Sequence, residues 1–560
     1  MKKTLHQKTM VRRESKKSHS VSLAPSSEKY GVVYTPSRLA MFVADLLVRE
    51  GKRHNRTLKT ILDPAAGEGM LLNAVSNRLP FAELIAIDSD PDAIPFFRSF
   101  KIGLLDDFIS PKQRQGTSSL EYWKALLPPI DAAIVNPPWS SERIYEKASL
   151  KSMGFTLANG QYDSYILFIE LTISLLAENG VFAFILPDSL FATQNEPLRR
   201  FLLANTELSV VARLGEKLFP DVFRATTVIV GRKSKPTARS RTRCFRLDST
   251  DRDSFLSGKI NLLACFNAKS HILPQARFAN NPMRQIDVDT TLEDIRLLET
   301  INGSSGVLSR HFKFGRGVEI SKGGLVVTCG RCGCSQGIRK DPPDTISCKH
   351  CGAQVSVAEA DKGSLISNQP AKGYGGILVG ESVRRYRLSA PRFIKLSVSG
   401  IDYKQPGLFV GPKILIRKTG LGIYAAIDKS SSLTNQTVYI LRPLRKMNPD
   451  ELFFYLGIIN SRVIYFYYLK TYGESEWKSH PYITKQILFS LPIPPFTNTT
   501  KCLEVSKLAK ALSRRYDRDI DWLLEDSVLR VFGLNNVDKQ RISETMNRLP
   551  NLASVNEMRF

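Results

Sequence analysis

Short apolar runs separated by helix-like stretches dominate residues 30–235 of the chain. The runs at residues 60–62, 84–87 and 132–135 have the length of strands, and each ends at an acidic or polar residue. Apolar strands that alternate with helical patterns are typical of a parallel sheet covered by helices. We therefore predict an α/β domain in this part of the chain.

The pattern changes after about residue 245. Short β-like runs appear at residues 413–417 and 437–441, and helical stretches follow at 449–470 and 500–532. Loops rich in glycine and serine separate the runs, which favours a mixed α+β domain. The arginine-rich segment 239–246 lies between the two patterns, and we predict that it is a hinge near an anionic partner or a solvated linker.

Asn136-Pro137-Pro138-Trp139 closes the apolar run 132–135. The carboxyl ends of the strands bind ligands in open α/β sheets. Two prolines fix φ twice and remove two N–H donors, so the Pro137 carbonyl and the Asn136 amide oxygen can act as two parallel acceptors. Beside the flat Trp139 ring, they suit an exocyclic amino group on a planar base. The alternative is a rigid loop that only ends a strand.

A small-residue loop from Asp63 to Gly69 follows the first strand, and its glycines let the backbone approach a ligand closely. Asp88 ends the next strand about twenty positions later, a spacing that suits a carboxylate bound to ribose hydroxyls. Asp107 is placed to meet an adenine amino group, and Phe108 to pack on the adenine ring. Each acid alone could be a solvated strand end or a helix cap, but their order favours a nucleotide-like cofactor.

In this order the motifs resemble the S-adenosylmethionine-dependent N6-adenine DNA methyltransferases with gamma-class motif order. The resemblance covers residues 30–235 and implies a Rossmann-like domain that transfers a methyl group from S-adenosyl-L-methionine to a flipped-out adenine. It implies cofactor contacts at Tyr34, Thr35, Pro36, Asp63, Ala65, Gly67, Gly69, Asp88, Asp107 and Phe108. It implies catalytic roles for Asn136, Pro137, Pro138 and Trp139. Trp139 would stack on the flipped base, although Tyr or Phe is commoner at this position.

Five of the eight cysteines lie between residues 329 and 351. Cys329 and Cys332 form one pair, and Cys348 and Cys351 form a second, with fifteen residues between the pairs. This spacing is typical of a closed tetrahedral Zn²⁺ site with a structural role. We predict a zinc ribbon at about residues 325–356 with Cys334 outside it; the alternative is a coincidental or lost site.

The chain has 560 residues and a formal net charge of +26, with a sequence pI near 9.7. This length indicates two or three domains. The positive excess indicates an anionic partner such as nucleic acid, or else a generally basic or ribosome-associated protein. Together with the resemblance, it favours double-stranded DNA.

We predict four regions along the chain. They are a disordered basic arm at 1–29, a catalytic domain at 30–240, a target-recognition domain with the zinc ribbon at 241–499, and a helical segment at 500–560. No uncharged span of about twenty residues is present, and the N-terminus lacks the apolar stretch of a signal peptide. We therefore expect a cytoplasmic protein with no membrane contact.

The resemblance implies a site-specific, adenine-specific DNA methyltransferase from a restriction-modification or related defence system. Because the motifs begin near residue 34, we expect no fused nuclease before them; a restriction endonuclease or specificity subunit could be encoded separately. Two alternatives stay open: a methyltransferase for RNA or protein glutamine, and a catalytically silent DNA-binding subunit of a larger assembly. A cytosine N4 target is also open, although its loop commonly begins with Ser or Asp.

Overall fold

The computed structural model describes most of the chain. The described residues are 35–114, 116–139, 145–158, 162–219, 224–303, 306–472, 483–549 and 556–558. Tyr34 and the predicted arm at 1–29 lie outside them, so those two predictions are not addressed by the structure.

A nine-stranded sheet organises the N-terminal part, in the order β3-β2-β1-β4-β5-β7-β6-β8-β9. Neighbouring strands from β3 to β5 are parallel, and β7 is antiparallel to both β5 and β6. The strands are β1 (Thr60–Asp63), β2 (Glu83–Asp88), β3 (Ile102–Leu105), β4 (Ile130–Val135), β5 (Leu176–Pro187), β6 (Thr206–Gly215), β7 (Thr226–Lys233), β8 (Arg241–Arg246) and β9 (His271–Pro274).

Helices cover both faces of this sheet. They are α1 (Ser37–Arg53), α2 (Met70–Ser76), α3 (Ser119–Leu126), α4 (Lys147–Ser152), α5 (Tyr165–Leu175), α6 (Glu196–Asn205), α7 (Ser249–Leu256), α8 (Leu262–Lys269) and α9 (Gln275–Asn280). Alternate strand residues enter different cores: Ile61 packs in the core under α1, whereas Leu62 packs in the core under α5. Burial on both faces explains the continuous apolar runs, and the predicted α/β class is confirmed.

The prediction of a hinge at residues 239–246 is wrong. Residues Arg241–Arg246 form β8, which pairs in parallel with β6, and β9 pairs with β8. Thr242 and Cys244 are fully buried while Arg241 is exposed, so the segment alternates with the two-residue period of a strand. The number of arginines hid this alternation. The predicted boundary at residue 240 therefore falls inside the sheet, which ends only with β9.

The C-terminal part combines small sheets with helices. Its four-stranded sheets have the orders β11-β23-β20-β21 and β17-β19-β18-β22, and the smaller sheets are β13-β12-β16, β14-β15 and β10-β24. The strands are β10 (Gly306–Val307), β11 (Phe312–Arg316), β12 (Leu325–Thr328), β13 (Ser335–Gly337), β14 (Thr345–Ser347), β15 (Gln354–Ser356), β16 (Lys362–Ser364), β17 (Ile366–Ser367), β18 (Tyr374–Leu378), β19 (Arg392–Lys395), β20 (Lys413–Arg417), β21 (Ala425–Asp428), β22 (Leu433–Thr434), β23 (Val438–Pro443) and β24 (Pro492–Ile493).

The helices of this part share one core that runs from Leu297 to Met558. They are α10 (Leu292–Gly303), α11 (Pro449–Ile459), α12 (Arg462–Tyr472), α13 (Lys485–Ser490), α14 (Thr500–Arg514), α15 (Arg518–Phe532) and α16 (Asn536–Asn547). The predicted segment 500–560 is therefore helical where it is described, but it packs into the core of the mixed α+β part.

Short 3₁₀ helices connect these elements. They are Pro91–Ser99, Asp188–Phe191, Thr193–Asn195, Pro282–Arg284, Leu308–Arg310, Gly380–Ser382, Pro406–Leu408 and Asn556–Met558. Among the described residues no single helix is long and apolar enough to cross a membrane, although the pair α11 and α12, bent by 46°, meets that length and composition when taken together.

Candidate active site

A cavity of about 470 Å³ opens where β1, β2 and β4 end. Its wall contains many of the residues that the motifs predicted for the cofactor and the reaction. These are Thr35, Asp63, Ala65, Gly67, Asp88, Asp107, Phe108, Asn136 and Pro138. Parallel strands end at one edge of the sheet, so residues far apart in sequence meet there. We call this space the cofactor cavity.

The loop after β1 depends on its two glycines. Gly67 and Gly69 have φ of 48° and 73°, in the left-handed region that glycine favours. A Cβ on Gly69 would also lie 2.6 Å from the Phe100 ring. The Gly67 N–H donates to Asp88 Oδ2 at 2.7 Å, so the acid that ends β2 holds this loop in place. Gly69 itself does not line the cavity but allows the turn into α2.

Asp63 presents a buried carboxylate at the floor of the cofactor cavity. Its side chain accepts the Ala65 N–H at Oδ1, at 3.1 Å. Its Oδ2 is buried and has no hydrogen-bond partner among the described residues. Burial, with a contribution from Asp88, raises the pKa of Asp63 well above its usual value. A buried acceptor without a donor is costly, so the site fits a ligand that brings a donor or a positive charge.

Asp107 and Phe108, the pair predicted to contact adenine, lie in the cavity wall, and Asp107 has an additional partner. Phe108 packs between Trp123 and Phe168, with ring centroids 5.7 Å and 5.5 Å away. The Tyr145 hydroxyl donates to both Asp107 oxygens, at 2.9 Å and 2.8 Å. Burial and the nearby Asp107 raise the pKa of Tyr145. Tyr145 was not predicted, because no local pattern joins it to an acid 38 positions upstream.

Side chains from other elements hold the loop at residues 136–139. The Asn136 amide donates from Nδ2 to Thr35 Oγ1 at 3.0 Å, which sets the orientation of the amide. Ser164 Oγ donates to the Pro138 carbonyl at 2.6 Å, and Arg224 Nη1 donates to the Trp139 carbonyl at 2.6 Å. Sequence reasoning missed Ser164 and Arg224, since their contacts depend on how distant elements pack.

Besides Gly69, three predicted residues in the described part of the chain do not line the cavity. Pro36 precedes α1 as its N-terminal cap residue, and Pro137 is buried behind the loop. The Trp139 ring is only 4% exposed and packs edge-to-face on Phe219, with centroids 5.3 Å apart. A large indole gains from this burial, so the ring lies in the core of the sheet rather than in the cavity. Residues 140–144 and 220–223 beside it lie outside the described part of the chain.

The four predicted metal ligands meet at a second location in the C-terminal part. All four sulfur atoms of Cys329, Cys332, Cys348 and Cys351 lie within 4.8 Å of one another. Two of the Sγ–Sγ distances are 3.8 Å and 3.7 Å. Zn–S bonds of about 2.3 Å in a tetrahedron place sulfurs about 3.8 Å apart, so the group fits zinc. Cys334 is outside the cluster, with its Sγ 3.6 Å from Ser399 Oγ.

The Rossmann-like sheet with this cavity defines a methyltransferase-type fold, and comparisons with known families agree. One family model, described as the Eco57I restriction-modification methylase, matches residues 126–219, a range that contains the loop at residues 136–139. A second, the TaqI-like C-terminal specificity domain, matches residues 376–493.

Similar curated proteins are type II methyltransferases. The type II methyltransferase M.HincII of Haemophilus influenzae is 26% identical over 212 residues, which are 37% of this chain and 38% of the relative. M.AccI of Acinetobacter calcoaceticus is 26% identical over 220 residues, 38% of each chain. The matched part is thus less than two fifths of each relative. The resemblance predicted from the motifs is confirmed: the chain is similar to restriction-modification methylases and carries a segment similar to their specificity domains.

Solved structures show that the fold extends beyond the methylase segment. A DrdV–DNA complex matches 87% of this chain and 57% of its own, with a TM-score of 0.51 and 14% identity. The type ISP restriction-modification enzyme LlaBIII bound to DNA matches 87% of this chain and 39% of its own, with a TM-score of 0.50 and 13% identity. At such identities the likeness concerns the fold alone, and it includes both parts of the molecule.

Proposed function

We propose that this protein is a site-specific DNA methyltransferase that modifies the N6 amino group of adenine, as the modification component of a restriction-modification system. The main structural support for this proposal is that Asn136 and Pro138 line the same cavity as Asp63, Gly67 and Asp88. An acceptor for the target amino group, the Asn136 amide oxygen, would therefore lie beside the proposed cofactor site. The matches to restriction-modification methylases support this assignment.

S-adenosyl-L-methionine suits the cofactor cavity. Its volume lies in the range of about 300–1,000 Å³ that is usual for such sites. The buried Asp63 oxygen would accept from the cationic methionine end, and Asp88 would accept from the ribose hydroxyls. Asp107 and Phe108 would hold the adenine. The bound cofactor would supply an electrophilic methyl group.

The protein's own contribution to the reaction is electrostatic. The Asn136 amide oxygen and the Pro137 carbonyl would accept hydrogen bonds from the target amino group. These bonds favour a pyramidal nitrogen and stabilise the positive charge that develops on it, so they strengthen in the transition state. Thr35, Ser164 and Arg224 keep the loop in place. No protein nucleophile is needed.

The target base must leave the duplex to reach this loop. We propose, from the motif, that Trp139 stacks on the flipped base, which requires that its ring first be uncovered from the core around Phe219. We propose that base recognition belongs to the C-terminal part, since residues 376–493 resemble a specificity domain. The substrate would be double-stranded DNA, and the protein would act in the cytoplasm. A separately encoded nuclease or specificity subunit would be its partner.

The test is to identify the methylated product. The purified protein is incubated with methyl-labelled cofactor and bacterial genomic DNA. The DNA is then digested to nucleosides, which are separated by chromatography and identified by mass spectrometry. We expect labelled N6-methyladenine. Labelled N4-methylcytosine would contradict the adenine assignment. Label found only in RNA or protein glutamine supplied in parallel reactions would contradict the DNA assignment. Cofactor binding without any transfer would favour a catalytically silent subunit.

We also propose that the four-cysteine cluster binds one structural Zn²⁺, which would cross-link the short strands of the ribbon. Elemental analysis should find about one zinc per chain, as expected for a closed four-thiolate site. Cys348→Ser should lose the zinc, whereas the control Cys334→Ser should keep it because Cys334 lies outside the cluster. If protein purified without any chelator contains no zinc, the proposal is contradicted.

A further inference from the structure

A second cavity, of about 410 Å³, is lined by none of the residues that line the cofactor cavity. It is bordered by α1, the first half of β6, the start of β8 and α8. Strands β6 and β8 run parallel, with Val210 beside Arg243. The cavity therefore lies toward the amino ends of these strands, whereas Asp63, Asp88 and Asn136 are at the carboxyl ends.

Four arginines line this cavity: Arg49 and Arg53 from α1, and Arg241 and Arg243 from β8. We call it the arginine cavity. Arg241 and Arg243 are two positions apart on a strand, so both side chains lie on the same face. Strand β8, which the sequence suggested was a charged hinge, thus places Arg241 and Arg243 in the same cavity.

These positive charges are poorly neutralised. Arg49 donates to Asn267 Oδ1 at 3.0 Å, and Arg243 donates to Ser270 Oγ at 3.1 Å. Arg241 donates to the backbone carbonyl of Ala238 at 3.0 Å. Within the described part of the chain, no carboxylate forms a salt bridge with any of these three arginines.

The single acidic group in the described wall is Glu50, which lies 3.9 Å from Arg53 and 3.0 Å from His54. The wall is therefore strongly positive. The apolar part of the lining consists of Leu46, Val210 and Phe266, which are buried, and Ile272, which is exposed. Guanidinium groups match the geometry of phosphate oxygens, to which they can donate two parallel hydrogen bonds.

We propose that the arginine cavity binds a phosphate group, either of a free phosphorylated compound or of a nucleic-acid backbone. The site shares no lining residue with the cofactor cavity. The proposal therefore does not depend on the proposed function.

The test compares the full-length protein with Arg241→Gln/Arg243→Gln and with a matched control, Lys235→Gln/Arg239→Gln. The control removes two exposed positive charges from the connection between β7 and β8, at residues that do not line the cavity. Pyrophosphate and ADP binding are measured by calorimetry. Binding of a labelled duplex is measured by anisotropy at several salt concentrations. Cofactor affinity and methylation are followed as separate readouts.

Binding of pyrophosphate or ADP that weakens at least about tenfold in the cavity variant, and not in the control, would support a free phosphate ligand. A decrease of about 1.8 in the salt slope of duplex binding, confined to the cavity variant, would support a nucleic-acid backbone, since each phosphate contact contributes about 0.9. Equal effects in both variants, no effect in either, or preferential binding of poly-glutamate would overturn the proposal. Phosphate binding by wild-type protein that transfers no methyl group to DNA would count against the proposed function alone.

Discussion

The N-terminal and C-terminal parts of this molecule both bury charged groups, but they assemble them differently. In the cofactor cavity, Asp63, Asp88 and Asn136 each stand at the end of a strand, and the parallel sheet brings them to one edge. In the C-terminal core, the buried charges come from segments that no regular topology aligns. The first arrangement leaves the buried Asp63 Oδ2 without a hydrogen-bond partner among the described residues, whereas the second is completed within the protein itself.

The C-terminal network joins Arg385 and Arg462 to Asp521 and Glu525, and each of these four side chains is at most 2% exposed. Arg462 Nη2 lies 2.9 Å from Asp521 Oδ2, and Arg385 Nη2 lies 3.3 Å from Glu525 Oε1. Burial alone would raise the pKa of Asp521, but Arg385 and Arg462 outweigh it and lower the pKa. These contacts join the specificity-like segment to α15.

The largest expected effect is the loss of stability when the buried network of the C-terminal part is broken, since the cofactor cavity should not be affected. Asp521→Ala leaves two buried arginines short of a partner, and removing one member of a buried pair costs about 3–5 kcal/mol. The midpoint temperature of unfolding should fall strongly, while cofactor affinity should stay unchanged because Asp521 does not line the cofactor cavity. Asp519→Ala, at an exposed acid on the same helix, should change stability by less than about 0.5 kcal/mol. A matching loss in both variants would contradict the account of the network.

A second prediction concerns pH. Asp294 accepts from Lys470 Nζ and from Arg541 Nε, both at 2.7 Å. Burial opposes ionisation, but Arg541 and Lys470 prevail and lower the pKa of Asp294 to about 2. Because the unfolded value is about 3.9, ionised Asp294 should contribute about 2 kcal/mol above pH 4, and this should vanish as pH falls toward 2.

Asp294→Asn isolates that contribution. The difference in unfolding free energy between wild type and variant should be about 2 kcal/mol at pH 6 and should shrink steadily below pH 4. Chemical denaturation at a series of pH values measures it. A difference that does not vary with pH would show that the charge of Asp294 is not what stabilises α10, α12 and α16 against one another.

The smallest effect on stability is expected for a substitution in the cofactor cavity, where the affinity for the cofactor should change instead. Asp88→Ala should weaken binding of S-adenosylmethionine by about 1–3 kcal/mol, the scale of hydrogen bonds to a charged group, with little change in global stability. Asp88→Asn separates ribose binding from loop support, because the amide oxygen can still accept the Gly67 N–H. Glu83→Ala, at the opposite end of the same strand, is the control. Unchanged calorimetric affinity in Asp88→Ala would remove Asp88 from the cofactor site.

The sequence was most informative where chemistry dictates short local patterns. The glycine loop, Asp88 and the loop from Asn136 could be placed because strand ends, φ and spacing constrain adjacent residues. Tyr145, Ser164 and Arg224 could not, since each acts on a residue that only tertiary packing brings near. The network around Asp521 could not be predicted for the same reason, because its members are distant in the sequence. The arginines of β8 misled for a different reason: their charge obscured a strand that is buried on one face.

The central claim is that Asn136 accepts a hydrogen bond that strengthens as charge develops on the target nitrogen. The most direct measurement is the single-turnover methylation rate of Asn136→Ala, beside Asn205→Ala as an exposed control and with cofactor affinity measured in parallel. We predict a rate lower by at least about a hundredfold, as for other contacts made in the transition state, with cofactor affinity and the control unchanged. Near wild-type methylation by Asn136→Ala would contradict the account, because the loop would then only end a strand.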